Sequence, residues 1–390
     1  MDRRDFLKYS SLLSAAGVLP EFVYASGVPQ RQDKIVVLVE LKGGNDGFNT
    51  LVPYRDDYYY KYRKHLALEL KKHKLFELKN GKALNPSLKA LSHFWDAGQM
   101  AWIEGVGYPQ GVLSHFRSID IWDTASSANQ VLSDGWLSKV LPQYKKGLHG
   151  IAVREGQAIL GPLDGTNLNC ITMQNPKSFE KQAYYIKDVD VSRQTAALLH
   201  ITNKQHQLYE VGKKITEQMR VNRAYTRGAR GFAKGKLGHS LQSVAGMILC
   251  GVDAPVYKVT QEGFDTHTLQ LGKQNNALYQ LAHGLNTFAT IMKKNNMWDK
   301  VLIMTYSEFG RRAKVNKSGG TDHGTASAHM VLGGRVRGGL YGKHPNLANL
   351  DENGNVHHTT DFRSLYATIG KKWWGVNTPW QGYGLIPFIK

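Results

Sequence analysis

Ile35-Val36-Val37-Leu38-Val39-Glu40-Leu41 runs directly into Lys42-Gly43-Gly44-Asn45-Asp46-Gly47. The first seven residues are apolar and rich in β-branched side chains, the composition of a strand covered on both faces in a parallel sheet. The glycine-rich turn after it leaves a carboxylate, Asp46, at the strand's C-terminal edge. The pattern recurs late in the chain, where Val301-Leu302-Ile303-Met304-Thr305-Tyr306 stops at Ser307-Glu308-Phe309-Gly310-Arg311-Arg312. Met100 to Val106, Gly150 to Val153, Pro255 to Thr260 and His329 to Leu332 read as further strands. Helical spacing joins Leu88, Leu91 and Trp95 within Asn85 to Ala97. It joins Leu278, Leu281, Leu285, Phe288 and Met292 within Gln270 to Asn295. Leu241 to Cys250 reads as a short apolar helix, and Ser192 to Arg223 as polar helices. Strands alternating with helices predict an α/β fold with a mostly parallel central sheet and helices on both faces.

The N-terminus reads as an export signal. Asp2-Arg3-Arg4-Asp5-Phe6-Leu7-Lys8 precedes an apolar run from Leu12 to Leu19, and Val23-Tyr24-Ala25 offers small residues for cleavage. A positive start, a short apolar stretch and a small-residue site describe a secretory signal too short to span a bilayer. The adjacent arginines before Phe-Leu-Lys select the twin-arginine (Tat) route and its machinery. The expected layout is a signal peptide at 1–25, a linker at 26–33 and one domain at 34–390, working in the periplasm, at the cell surface or secreted. No later stretch is long and apolar enough for a transmembrane helix.

Fifty Lys and Arg against thirty-one Asp and Glu give a formal charge of +19. Residues 1–25 carry three of each sign, so the remainder keeps that value. Such a field favours anionic partners, an acidic substrate or polysaccharide. No nucleic-acid motif accompanies the charge, so nucleic acid is not expected as a partner. Two cysteines, Cys170 and Cys250, exclude a disulfide framework as the main source of stability.

Polar residues cluster where the predicted strands stop: Asp46, Ser114 with His115 and Arg117, Asp265 with His267, Glu308, and Asp322 with His323. Loops at the carboxyl ends of such strands converge on one crevice. Asp, Glu and His are the donors that bind divalent metals. Each residue has a plainer reading as well. Asp46 is also a turn former, Asp265 or Thr266 a helix cap, and Glu308 a partner for Arg311 or Arg312. Asp322 and His323 suit a polar loop. Ser114 suits a helix N-cap as well as a nucleophile. Arg117 and Arg311 are candidates for gripping substrate oxygens, with surface salt bridges as the ordinary alternative.

The motifs together resemble one family over Lys34 to about Trp380. They are Lys-Gly-Gly-Asn-Asp-Gly at 42–47, Gly-Val-Gly-Tyr-Pro at 105–109, Ser-His-Phe-Arg at 114–117 and Phe-Asp-Thr-His at 264–267. Ser-Glu-Phe-Gly-Arg at 307–311, Gly-Gly-Thr-Asp-His-Gly at 319–324 and Thr-Thr-Asp-Phe-Arg at 359–363 complete the set. The chain is similar to the DUF1501 proteins, exported bacterial proteins of unassigned function, which in turn resemble the alkaline phosphatase and sulfatase superfamily. That resemblance implies an alkaline phosphatase-like fold and a hydrolase of phosphate or sulfate esters using one or two divalent ions: zinc, manganese, magnesium or calcium. It implies metal-ligand roles for Asp46, Asp265, His267, Glu308, Asp322 and His323. Ser114 takes the nucleophile's place, with His115, Arg117 and Arg311 beside it. Phe309 stands where the superfamily has histidine or asparagine, so a second metal is one donor short. Neither cysteine begins a Cys-x-Pro-x-Arg motif, which excludes a formylglycine sulfatase. The alternative is a non-catalytic relative that binds envelope glycans or a secreted partner.

Overall fold

A computed structural model describes residues 33–145, 147–154, 159–179, 181, 210–221 and 229–390. The expected signal peptide, the linker up to residue 32 and most of the expected 192–223 helices lie outside these residues.

The main sheet has nine strands. They are β1 (Ile35–Leu41), β2 (Met100–Gly107), β3 (Gly150–Val153), β4 (Cys170–Met173), β5 (Val256–Gln261), β6 (Val301–Tyr306), β7 (Ser327–Gly333), β8 (Gly339–Tyr341) and β9 (Thr360–Asp361). Their order is β8-β2-β7-β6-β1-β5-β3-β4, with β9 also paired to β2. β1 lies at the centre, parallel to β5 through Val36↔Val256 and to β6 through Ile35↔Val301. All seven of its residues are buried, as the apolar run requires. Every pairing is parallel except the two made by β7. The link from β6 to β7 contains no crossover helix, so the chain returns antiparallel beside the strand it has just left.

Helices cover both faces. On one, Val37 and Val39 of β1 join an apolar cluster with α3 (Lys236–Leu249) and α4 (Gln270–Lys294). On the other, Val36 and Leu38 pack with α2 (His115–Thr124) and α5 (Arg363–Thr368). One short helix, α1 (Gly47–Thr50), follows the β1 turn. The expected Asn85 to Ala97 helix is instead a 3-10 stretch, Pro86–Leu91, continued by an α turn, Ser92–Asp96. Cys170 and Cys250 are buried and do not pair as a disulfide. Among the described residues, no helix is long and apolar enough to cross a membrane.

Candidate metal centre

The C-terminal ends of β1, β2, β5 and β6 open on one edge of the sheet, and the loops leaving them meet there. β2 leads through a turn to His115, the first residue of α2. β5 leads to Asp265 and His267. β6 leads to Glu308 and into a two-residue antiparallel ribbon in which Arg311 faces His323. Close backbone approach makes this convergence possible. Gly43 has φ of +119°, and a Cβ there would overlap the backbone nitrogen of Asp265.

Three histidines aim their Nε2 atoms at Asp265. His267 Nε2 is 3.1 Å and His323 Nε2 3.4 Å from Asp265 Oδ1, while His115 Nε2 is 3.5 Å from Oδ2. His267 and His323 face each other at 2.9 Å. One donor atom each from His115, Asp265 and His323 fits within 4.8 Å. On the far side of each ring, Nδ1 meets an oxygen. His323 Nδ1 is 2.7 Å from the Leu113 carbonyl, His115 Nδ1 2.9 Å from Glu308 Oε1, and His267 Nδ1 3.3 Å from Asp322 Oδ1. A carbonyl can only accept, so His323 carries its proton on Nδ1 and presents a bare lone pair at Nε2. The carboxylates favour the same tautomer in the other two rings.

Lone pairs from His267 and His323 at that separation, with a carboxylate beside them, repel unless a cation lies between. A proton or a metal ion meets that need. Tetrahedral ligands at metal–nitrogen distances of about 2.0–2.1 Å stand roughly 3.3 Å apart, close to the separations here. Histidine ligands whose other nitrogen is held by carboxylate or backbone oxygen are the usual support of such ions. The donor set therefore fits a borderline divalent ion such as zinc.

Asp265, Asp322 and His323 are poised to suit a bound cation, whereas His115 favours holding a proton of its own. The bond from Glu308 holds His115 above the ordinary histidine range, against partial burial. Partial burial opposes ionisation of Asp265, yet Arg311 and the neighbouring histidines hold its carboxyl below the usual range. Burial keeps His323 low and therefore neutral, and the nearby Arg311 adds to this. The bond from Asn316 holds Asp322 low, helped by His267.

The residues singled out in the sequence divide by place. His115, Asp265 and His323 offer donor atoms within 4.8 Å of one another, and His267 Nε2 lies against Asp265 and His323. Glu308 and Asp322 stand one shell behind, each against a ring nitrogen. Glu308 is buried and also accepts from the Gly43 amide and the Ser307 hydroxyl. Asp46 is not brought to the cluster. It is buried, caps α1 through the Phe48 amide, and is bonded to Arg63 and Gln270. Arg311 is fully buried and spends its guanidinium on the carbonyls of Gly43, Gly44, Phe264 and Thr321 and on Asp265, so it fixes the loops. Arg117 binds Asp120 and the carbonyls of Ser127, Ala128 and Gln130, tying α2 to the loop beyond it. Ser114 is exposed at the N-cap of α2 but makes no capping bond. Its neighbours on either side, Leu113 and His115, both touch the cluster. Phe309 packs its ring on His323 and His115, at centroid distances of 4.3 and 4.9 Å.

A cavity of about 870 Å³ opens beside the donors, and its lining includes His115, Asp265 and Glu308 as well as Glu40, Lys258 and Asp123. These last three were not picked out from the sequence. Their signal was a charge inside an apolar strand, Glu40 in β1 and Lys258 in β5.

The family described as "Protein of unknown function (DUF1501)" matches residues 108–377, more than half of the chain. The chain belongs to the DUF1501 family. The matched span contains His115, Asp265, His267, Glu308, Asp322 and His323, whereas Asp46 precedes it. Comparison with curated proteins finds no match. Among solved structures, a protein in the alkaline phosphatase superfamily from Vibrio parahaemolyticus aligns at 9% identity and TM-score 0.38, over 97% of this chain and 76% of that one. The lipoteichoic acid synthase LtaP from Listeria monocytogenes aligns at 7% and 0.37, over 95% and 78%. The C-terminal periplasmic domain of EcEptC from Escherichia coli, in complex with Zn, aligns at 10% and 0.40, over 94% and 88%.

Proposed function

We propose that this DUF1501 protein is a divalent-metal-dependent hydrolase of phosphate or sulfate esters on an anionic substrate outside the cytoplasm. The observation that carries the reading is the convergence of three histidine Nε2 atoms on Asp265, each ring braced from behind. His115, His267, His323 and Asp265 would hold the ion, which when bound supplies Lewis acidity to an ester oxygen. The chain's own groups do the rest. Glu308, Asp322 and the Leu113 carbonyl set the tautomers and aim the rings. Arg311 fixes Asp265. Lys42 and Lys273 line the adjacent cavity and favour an anionic ester. Ser114, beside the cluster at a helix N-terminus, is the candidate nucleophile.

One observation favours the second reading, a non-catalytic relative that binds envelope glycans or a secreted partner. Phe309 packs, tilted, against two of the rings, and a single donor group is found among the described residues. Phosphate-ester catalysts that work with paired ions need a second set of donors.

Elemental analysis of the purified protein, followed by assay of aryl phosphates, phosphodiesters and aryl sulfates, separates the readings. The hydrolase reading expects about one divalent ion per chain and turnover of at least one ester class. No turnover of any class would favour the binding reading, and absence of metal would overturn the hydrolase reading.

A further inference from the structure

The cavity beside the donors crosses the sheet's C-terminal edge. Phe116, Ile119 and Asp123 line it from one stripe of α2, on one face of the sheet, and Lys273 lines it from α4, on the other. Asp265 and Glu308 lie at the strand ends between. Two arms therefore join at the donors, and the arm along α2 starts at the residue next to His115.

That arm is apolar where a ligand can reach it. Phe116 is 88% exposed, the highest value for a large apolar side chain among the described residues, and Ile159 is 59% exposed. Both line the cavity, with Ile119 partly buried one helical turn beyond Phe116. Such side chains gain free energy by leaving water, and these two stay in it. The polar groups of the arm lie beneath. Glu40, Lys258, Thr260 and Asp123 are all buried. Lys258 Nζ lies 3.2 Å from Glu40, and the Thr260 hydroxyl donates to Glu40 at 3.1 Å. Burial pushes the Asp123 carboxyl up to about 8, so near neutral pH one carboxylate, Glu40, balances the one ammonium. The floor thus carries no net charge and little exposed polar surface.

Cations stand beside this arm. Lys42, next to the Gly43 that packs on Asp265, and Lys273 both line the cavity and are exposed. Neither pairs with a carboxylate among the described residues, whereas Lys236 and Arg154 are held by Glu262. Open apolar side chains, uncompensated ammonium groups and the donor cluster thus share one cavity, which calls for a ligand that is apolar at one end and anionic at the other.

We propose that the arm along α2 holds an alkyl chain, so that the substrate is an anionic amphiphile: a phosphate or sulfate whose head lies at the histidines and whose chain runs over Phe116, Ile119 and Ile159. The proposal rests on the hydrolase reading in calling this amphiphile an ester to be cleaved; retention of an alkyl anion does not require turnover.

Calorimetric titration of the full chain with octyl and ethyl phosphate, and with octyl and ethyl sulfate, tests it at concentrations below micelle formation. For at least one head group the octyl ligand should bind at least about tenfold tighter than the ethyl one. Octyl glucoside, with the same chain and a neutral head, should bind at least about tenfold more weakly than that octyl anion. Phe116→Ser and Ile159→Ser should each cut the chain-length preference about threefold or more and leave metal content unchanged. Both side chains are exposed, so both variants are expected to fold. His323→Ala should lose metal and weaken both anions while keeping the preference for the longer chain, which separates failure of the metal reading from failure of the apolar arm. No measurable binding of either octyl anion, equal affinity for octyl and ethyl ligands, equal binding of octyl glucoside, or an unchanged preference in both serine variants would overturn the proposal.

Discussion

Asp123 shows how far a residue's environment departs from its type. Its carboxyl is buried and raised to about 8, so burial opposes the charged form. The unfolded chain releases this proton near pH 4, the folded chain near pH 8. Between those values the native state binds more protons, and stability therefore falls as pH rises. Asp123→Asn keeps the shape without the charge. Its stability relative to the parent should grow across that window, reaching on the order of 5 kcal/mol at the alkaline end. Urea titrations at pH 5 and pH 8.5 check this, and a constant difference between the two would contradict it. Ser114 poses a cleaner question now that it makes no capping bond. Ser114→Ala should change stability by less than about 0.5 kcal/mol and abolish hydrolysis with metal content intact; parental turnover would exclude it as nucleophile. Asp265, His267 and His323 were legible as candidate positions because their loops leave predicted strand ends, and the structure brings the three side chains together. Asp46 follows one too, yet Arg63 and Gln270 claim it, and that pairing spans 17 and 224 positions, beyond any local pattern. Glu308 and Asp322 were legible as site residues but not as supports, because the sequence does not say which side of a histidine a carboxylate takes.

The long elements were readable because burial forces a period on them. β1, β6 and α4 lie within one residue of where their apolar spacing puts them. β8 and β9 were not anticipated: they are three and two residues long and sit at an edge, where no face need be apolar. β4, Cys170–Met173, was not anticipated either, for the same want of length. The loops are held by backbone contact as much as by side chains. Gly43 combines a left-handed φ with overlap of any Cβ on Asp265. Gly43→Ala should therefore cost at least about 2 kcal/mol and displace the loop that carries Asp265 and His267. Thermal melting and metal content should fall together; a parental melting temperature would show that the two loops are not packed as described.

At the scale of the whole molecule, the +19 charge favours an anionic partner, and the paired arginines carry the proposal that the protein is exported. Replacing Arg3 and Arg4 by lysine keeps the charge and removes what distinguishes the twin-arginine route. Unprocessed precursor should then accumulate inside the cell, whereas normal export of the double variant would refute the route and leave the site untouched. The fold brings four strand ends to one edge, so that His115 and His323, more than two hundred positions apart in sequence, meet. Whether they meet on a metal is the central claim, and metal content of parent, His323→Ala and Asp322→Asn proteins measures it most directly. The account predicts about one divalent ion per chain in the parent, its loss in His323→Ala, and only a weakened affinity in Asp322→Asn, which removes a support rather than a ligand. A parent protein that binds no divalent ion, or a His323→Ala variant that holds as much as the parent, would contradict it.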